Sequence, residues 1–392
     1  MPASETLPRQ PGASMPDRRP GIRAPRPRVT GVLLAVLALV AAACGGSASP
    51  APAGSASPAV AGSGSPSASA AGASPASPAL SPTPSAPVRL VVGLGYIPNV
   101  QFAQFYLADQ AGYYRDAGLQ VEFQNKIDPE LVTLVGQGAV DVGISDGTSV
   151  IPAVSQGIPI RYVFTVFAQF PNVVFSKATS GIATVADLRG RKVGIPGKFG
   201  SSWIQLEALL AGAGLATSDV SLVLFPDFGQ LAALQQGAID AATGYANNEP
   251  VQLELGGQKA SVLALPPASQ LPGPGLIVSA AALNGPKKDA LRAFVAATQR
   301  AMRDIEADPA KGVDAAIAQV QALGTNRPAQ LAVLQATIAL WESDYTRANG
   351  LGAVDPALWE RSIAFMGGLP DKLLAKPVAV TDCISSALLP AP

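Results

Sequence analysis

The stretch Arg89–Tyr114, RLVVGLGYIPNVQFAQFYLADQAGYY, changes period in its middle. Its opening, RLVVGLGY, is apolar and β-branched and reads as a strand. Tyr96-Ile97-Pro98-Asn99 interrupts the run. Beyond it Phe102, Tyr106 and Asp109 recur at helical spacing, and Gly112 is placed to end the helix. A strand leading directly into a helix is the building unit of a sheet covered by helices. Aromatic residues are only 6% of the chain, yet they crowd here. Either they fill a core or they line a place where something flat rests.

The alternation continues along the chain. LQVEFQ is a strand, PELVTLVGQG a helix with Pro early and Gly at its end, VDVGIS a strand and TSVIPAVSQG a helix. RYVFTVFAQ and NVVFSKA are two further strands. A second series follows: KVGI, the serine-opened helix SSWIQLEALLAGAG, VSLVLFP, FGQLAALQQGA, IDAATGY and the helix start NNEPVQLELGG. After a proline-rich connector, GLIVSAAAL is a strand, and 286–320 and 328–344 are helical and mostly alanine-rich. Alternating elements predict an α/β fold with mostly parallel sheets. About 300 residues exceed one comfortable core, so two lobes are expected. Both series contain one phrase, Gln137-Gly138-Ala139-Val140-Asp141 and Gln236-Gly237-Ala238-Ile239-Asp240. It is either a common αβ turn or the mark of two similarly built lobes.

Composition excludes several chemistries. Lys plus Arg is 27 and Asp plus Glu is 27, so no charge excess points to nucleic acid. There is no histidine, which removes imidazole bases, Ser-His-Asp and Cys-His sites, and zinc sites built on His. The only cysteines are Cys44 and Cys383.

The N-terminal part reads as address and tether. An Arg-containing polar flank precedes GVLLAVLALVAAAC, an apolar run too short for the about 20 residues of a comfortable membrane span. Its end, Leu39 to Cys44, resembles a bacterial lipoprotein box, with Ala where Leu is commoner at the third position before the cysteine. That resemblance implies a signal peptide over 1–44 and lipid on Cys44. Residues 45–87 are Ala, Ser, Pro and Gly without one charge, and are expected to form a disordered tether spanning roughly 35–40 Å. Cys383 is then unpaired and reads as a small buried residue.

Four phrases of the body, GYIPNVQFAQFYLADQAGYYRDAGLQVEF, GQGAVDVGISDGTSV, VADLRGRKVGIPGKFGSSW and LAALQQGAIDAATGYANNEP, in this order resemble the solute-binding proteins of bacterial ABC importers. The branch is the nitrate, sulfonate, taurine and thiamine-pyrimidine binding group. The resemblance covers about 88–320 and implies a type II periplasmic-binding fold over 88–392, with a ligand cleft between two lobes. Lobe 1 is expected over about 88–180 and 276–392, and lobe 2 over about 181–275. It also implies capture of a small-molecule ligand by hinge closure, delivery to a permease with its ATPase, and a monomer held at the outer face of the cytoplasmic membrane by its lipid. The group includes enzymes that make the thiamine pyrimidine from their own histidine with iron and a cysteine-rich motif. This chain has no histidine and no cysteine cluster, so no catalysis, cofactor or metal is expected.

Ligands of such sheets lie beyond the carboxyl ends of strands. The candidates there are Tyr96, Asn99 and Phe102; Asp146 and Thr148; Gln169; Phe199, Ser201, Ser202 and Trp203; and Tyr245, Asn248 and Glu249. Each has a plainer role available: Phe102 as core, Asp146 and Asn248 as helix caps. Lys198 and the serines resemble an anion cradle at a helix start. A permanent anion such as sulfonate or nitrate would nevertheless meet Asp146 and Glu249, a costly pairing when desolvated. Aromatics with carboxylates and amides suit a flat heterocycle with N–H donors. The expected cargo is therefore an aminopyrimidine vitamin precursor or a riboflavin-like compound, with aliphatic sulfonate, taurine or nitrate as the alternative.

Overall fold

The computed structural model describes residues 86–127 and 130–390. The readings placed on 1–44 and 45–85, including the lipid on Cys44, lie outside the described residues. In chain order the strands are β1 (Val88–Leu94), β2 (Leu119–Asn125), β3 (Val142–Ser145), β4 (Ile160–Thr165), β5 (Asn172–Lys177), β6 (Lys192–Ile195), β7 (Ser221–Leu224), β8 (Ala241–Tyr245), β9 (Ala260–Ala264) and β10 (Gly275–Ser279). The helices of the strand–helix series are α1 (Ala103–Gln110), α2 (Tyr113–Asp116), α3 (Glu130–Gly136), α4 (Gly147–Ser155), α5 (Gly200–Gly212), α6 (Gln230–Gln235) and α7 (Glu249–Leu255). A C-terminal series follows: α8 (Lys288–Ala307), α9 (Pro309–Gln319), α10 (Arg327–Ile338), α11 (Asp344–Asn349), α12 (Pro356–Gly367) and α13 (Val380–Cys383).

Two five-stranded sheets result, β2-β1-β3-β10-β4 and β7-β6-β8-β5-β9. In the first, β1 pairs parallel with β2 and β3, and β10 runs antiparallel between β3 and β4. In the second, β6 pairs parallel with β7 and β8, and β5 runs antiparallel between β8 and β9. Each sheet is thus a three-stranded parallel core, an antiparallel strand beside it (β10 or β5), and an edge strand paired to that one (β4 or β9). The expected lobe boundary near 180 is corrected: the chain crosses before β5, which joins the second sheet. Periodicity identifies NVVFSKA as a strand but carries no information on which neighbour it pairs.

The repeated phrase has the same construction in both lobes. Gly138 and Gly237 are left-handed, with φ of 75° and 76°, and close the preceding helices. Ala139 N–H then bonds Leu134 O, and Ala238 N–H bonds Ala233 O, both at 2.9 Å. Next, Asp141 donates its N–H to Val91 O on β1 and accepts Val91 N–H on Oδ2, both at 2.9 Å. Asp240 does the same with Lys192 on β6, at 2.9 and 2.8 Å. Each aspartate clamps the first parallel strand of its lobe, so the repeat marks two similarly built lobes.

The aromatic cluster divides. Phe105, Tyr106 and Tyr114 are buried in the first lobe's core. The Tyr114 ring stacks on Phe294 of α8 at 4.9 Å, and its hydroxyl shares a 2.8 Å hydrogen bond with Thr298 Oγ1. Tyr96 and Phe102 instead reach the space between the sheets. The C-terminal helices pack on the first lobe, α8 and α9 against α1, α12 and α13 against α4, and Tyr162 of β4 forms a bridge with Ile384. Cys383 is fully buried there, and burial pushes its thiol up to about 12.

One tie joins α5 to the C-terminal segment. The buried Glu207 carboxyl lies within reach of the charge of Asp371. Burial first, then Asp371, pushes Glu207 from its ordinary 4.5 up to about 8, while Lys198 pulls it down. The folded state therefore holds a proton that the unfolded chain releases. Stability from this tie is present below 4.5 and is lost as the pH rises towards about 8. Denaturant midpoints measured across that range should fall with pH for the wild type and flatten for Glu207→Gln. Equal slopes would show that Glu207 takes up no proton on folding.

Candidate functional site

The described residues of both lobes belong to one compact unit, and a cavity lies between the sheets at the carboxyl ends of their parallel strands. Its cavity volume is ≈ 130 Å³, roughly ten times what one water requires. Of the residues expected at the strand ends, Tyr96, Phe102, Asp146, Phe199, Ser201, Ser202, Tyr245, Asn248 and Glu249 line it. Asn99, Thr148, Gln169 and Trp203 do not.

Those four have structural work nearby. Asn99 Oδ1 caps the short turn Val100–Phe102 through Gln101 N–H at 3.0 Å. Thr148 is buried under Asp146, to which it donates both N–H and hydroxyl. Gln169 Nε2 donates to Ala339 O and Glu342 O at 3.0 Å each, tying the first crossover to the C-terminal helices. The buried Trp203 ring carries the Lys198 ammonium 5.5 Å from its centroid.

Asp146 ends β3 and caps α4, accepting Thr148 N–H at 3.0 Å and Ser149 N–H at 3.2 Å. It also accepts from Ser201 on the opposite lobe. Burial raises its pKa above the ordinary carboxylate range, and these hydrogen bonds pull it back. Glu249 opens α7, four residues beyond the end of β8. Its Oε2 accepts Tyr245 N–H at 2.8 Å, and its carboxylate accepts from the Tyr96 hydroxyl across the cavity. Burial raises Glu249 as well, and burial followed by the Glu249 charge raises Tyr96. A third link runs from Asn247 Nδ2 to Gln101 Oε1 at 3.0 Å and Thr337 Oγ1 at 2.8 Å.

The loop after β7 supplies what the sequence reading passed over. Phe228 has φ 60°, rare for a residue with a Cβ, and meets Tyr96 edge-on at 4.8 Å. Gln230 opens α6 beneath it, and Gln101 and Gln104 line the cavity from the turn and helix that follow β1. The signal was available: Phe228 and Gln230 follow a strand end, and the glutamines stand within the opening stretch. Phe167 completes the aromatic wall from the crossover after β4.

The charge pattern is one-sided. Among the described lining residues Asp146 and Glu249 are the charged ones, and none is Lys or Arg. Donors come instead from α5, whose first turn, Gly200 to Ser202, lines the cavity without a side-chain cap on its N–H groups. The cavity can therefore hold a flat face on its rings, N–H and O–H donors on carboxylates and amides, and carbonyl or hydroxyl oxygens at the helix start.

A sequence family described as NMT1/THI5 like matches residues 99–312. The riboflavin-binding protein RibY of Chloroflexus aurantiacus is 35% identical over 325 residues, covering 80% of this chain and 90% of that protein. The 4-amino-5-hydroxymethyl-2-methylpyrimidine phosphate synthase of Legionella pneumophila is 27% identical over 167 residues, 42% of this chain and 52% of that protein. Among solved structures, the alkanesulfonate-binding protein SsuA of Xanthomonas axonopodis pv. citri, bound to MOPS, aligns with TM-score 0.60 at 20% identity. It covers 77% of this chain and 99% of that one. The aliphatic sulphonate-binding protein SsuA of Escherichia coli aligns at 0.53 and 21% identity, covering 64% and 84%. At such identities the likeness shows the fold alone, and the fold is that of the periplasmic binding proteins.

Proposed function

The chain belongs to the NMT1/THI5-like family, and from that membership we propose that it is the exported solute-binding component of an importer whose cargo is a riboflavin-class flavin. The carrying observation is the cavity wall: aromatic rings and buried carboxylates from both lobes, with no cation among the described lining residues. The isoalloxazine ring offers a flat apolar face, an imide N–H and two carbonyls, and the ribityl chain offers hydroxyls. Tyr96, Phe167 and Phe228 suit the face, Asp146 and Glu249 the donors, and the α5 start the acceptors. The kinship with the riboflavin-binding protein, over most of both chains, puts a flavin ahead of the aminopyrimidine. Sulfonate and nitrate fit poorly, because their fixed negative charge would face two carboxylates without a guanidinium or ammonium.

In this reading the cargo closes the lobes on itself and is handed to an ABC permease with its ATPase. Export through 1–44, the lipid on Cys44, the tether and the monomeric state are parts of the same proposal. No bond is made or broken by the chain.

Thermal unfolding of the purified protein against riboflavin, an aminopyrimidine, taurine, methanesulfonate and nitrate tests it. Ligand at 100 times its Kd stabilises by about 2.7 kcal/mol, or about 5 °C for a protein of this size. The expected shift is with riboflavin. A shift with an anion alone would show that the carboxylates do not govern the cavity.

A further inference from the structure

The cavity wall holds two buried acceptors without partners. Gln104 on α1 is 1% exposed and Gln230 on α6 is 2% exposed, and the Oε1 of each has no hydrogen bond among the described residues. Gln230 Nε2 donates to Thr243 O at 3.3 Å, which leaves the oxygen as the uncommitted end of that amide. Other buried side chains also carry unpaired polar atoms, among them Asn172, Gln205, Thr243 and Trp341. None of those residues lines the cavity, whereas Gln104 and Gln230 both do, one from each lobe. Folded proteins leave few buried acceptors unpaired, so each calls for a partner, and on a residue of a cavity wall a bound ligand can be that partner. The neighbouring acceptors already hold protein donors, Asp146 from Thr148, Ser149 and Ser201, Glu249 from Tyr245 and Tyr96, and Gln101 from Asn247, so a ligand donor adds to a satisfied group there and supplies the missing partner at the two glutamines.

We propose that Gln104 and Gln230 are the specificity pair of this cavity, each accepting a hydrogen bond from a donor on the ligand, one on each lobe. This rests on the heterocycle reading of the site and deepens it: the cargo must carry donors at two separate edges. A flavin does so with its imide N–H and a ribityl hydroxyl, one for each glutamine. An inorganic anion or an alkanesulfonate offers neither. The pair also gives closure a chemical condition, because a ligand with a donor at one edge satisfies one lobe and leaves the other with an unpaired acceptor.

Equilibrium titration of wild type, Gln104→Leu, Gln230→Leu and Gln205→Leu tests this, with riboflavin, N3-methylriboflavin, lumiflavin and an aminopyrimidine as ligands. Gln205 is the control, a fully buried α5 amide with both polar atoms unpaired and no place on the cavity wall. Each cavity variant should bind riboflavin roughly tenfold to a hundredfold more weakly. Gln205→Leu should bind as wild type. One cavity variant should lose its deficit with N3-methylriboflavin, which lacks the imide N–H, and the other with lumiflavin, which lacks the ribityl chain. Unchanged affinity in both cavity variants, or deficits identical across all flavins, would overturn the pair. Wild type that binds the aminopyrimidine and no flavin would overturn the cargo alone, and the deficits are then read on that compound. Wild type that binds neither class would overturn both.

Discussion

Glu249→Ala is expected to abolish measurable cargo binding and to destabilise the protein at the same time. The Glu249 side chain is 8% exposed and serves two donors, Tyr245 N–H at 2.8 Å and the Tyr96 hydroxyl. Truncation leaves both in a buried place without an acceptor, at about 1–3 kcal/mol for each group. The summed effect on stability is about 2–4 kcal/mol, because Tyr245 N–H starts near the cavity and can recruit water. Tyr96 also loses the partner that orients its ring, and with it the edge contact to Phe228 at 4.8 Å. Binding should therefore weaken by more than about a hundredfold. Glu249→Gln keeps an acceptor for Tyr245 and removes the buried charge, so its stability should lie closer to the wild type. Urea midpoints and titration with riboflavin measure the two effects separately. An alanine variant with the wild-type midpoint and affinity would remove Glu249 from the site.

The links through Glu249, Asp146 and Asn247 share one feature: each joins a residue of one lobe to a residue of the other. Tyr96 meets Glu249, Ser201 meets Asp146, and Gln101 meets Asn247. Two of these bonds involve carboxylates whose pKa is raised by burial, so the proposed closure would be accompanied by desolvation of negative charge. A cargo that brings donors offsets that desolvation, and one that brings a second negative charge adds to it. The electrostatics of closure and the choice of cargo are thus the same question.

Much of this was legible in the sequence because it rests on local periods. The opening strand and helix, the αβ turns with Gly138 and Gly237, and the strand-end positions of Tyr96, Asp146, Ser201 and Glu249 all follow from rules that span a few residues. What was not legible depends on partners far along the chain. β9 was passed over as part of a proline-rich connector, since only its pairing with β5 at the sheet edge makes ASVLA a strand. The lobe boundary was misplaced for the same reason. Gln104 and Gln230 escaped notice because a glutamine on a helix is ordinarily solvent-facing, and their burial depends on how the two lobes meet.

Gly352→Ala is expected to cost about 3–5 kcal/mol, the sum of a backbone term of about 1–2 and an overpacking term of about 1–3. Gly352 has φ 89°, in the region an L side chain avoids. A Cβ there would lie 1.9 Å from Phe164 Cε2 and 2.4 Å from Cζ. Phe164 is fully buried in β4, so its ring has little room to yield. Gly350 provides the comparison: φ is 98°, and a Cβ would meet nothing within 4 Å. Gly350→Ala should therefore show the backbone term alone. The difference between the two variants isolates the close approach of the C-terminal segment to β4. That approach bears on the cavity, because Gly352 O accepts Thr165 N–H at 2.9 Å, and Val166 and Phe167, which come next, line the cavity. A Phe164 pushed out of register would carry this segment with it, so riboflavin affinity should fall in Gly352→Ala and hold in Gly350→Ala. Equal midpoints for the two variants would mean that the segment can move aside, and that the wall around Phe167 does not depend on it.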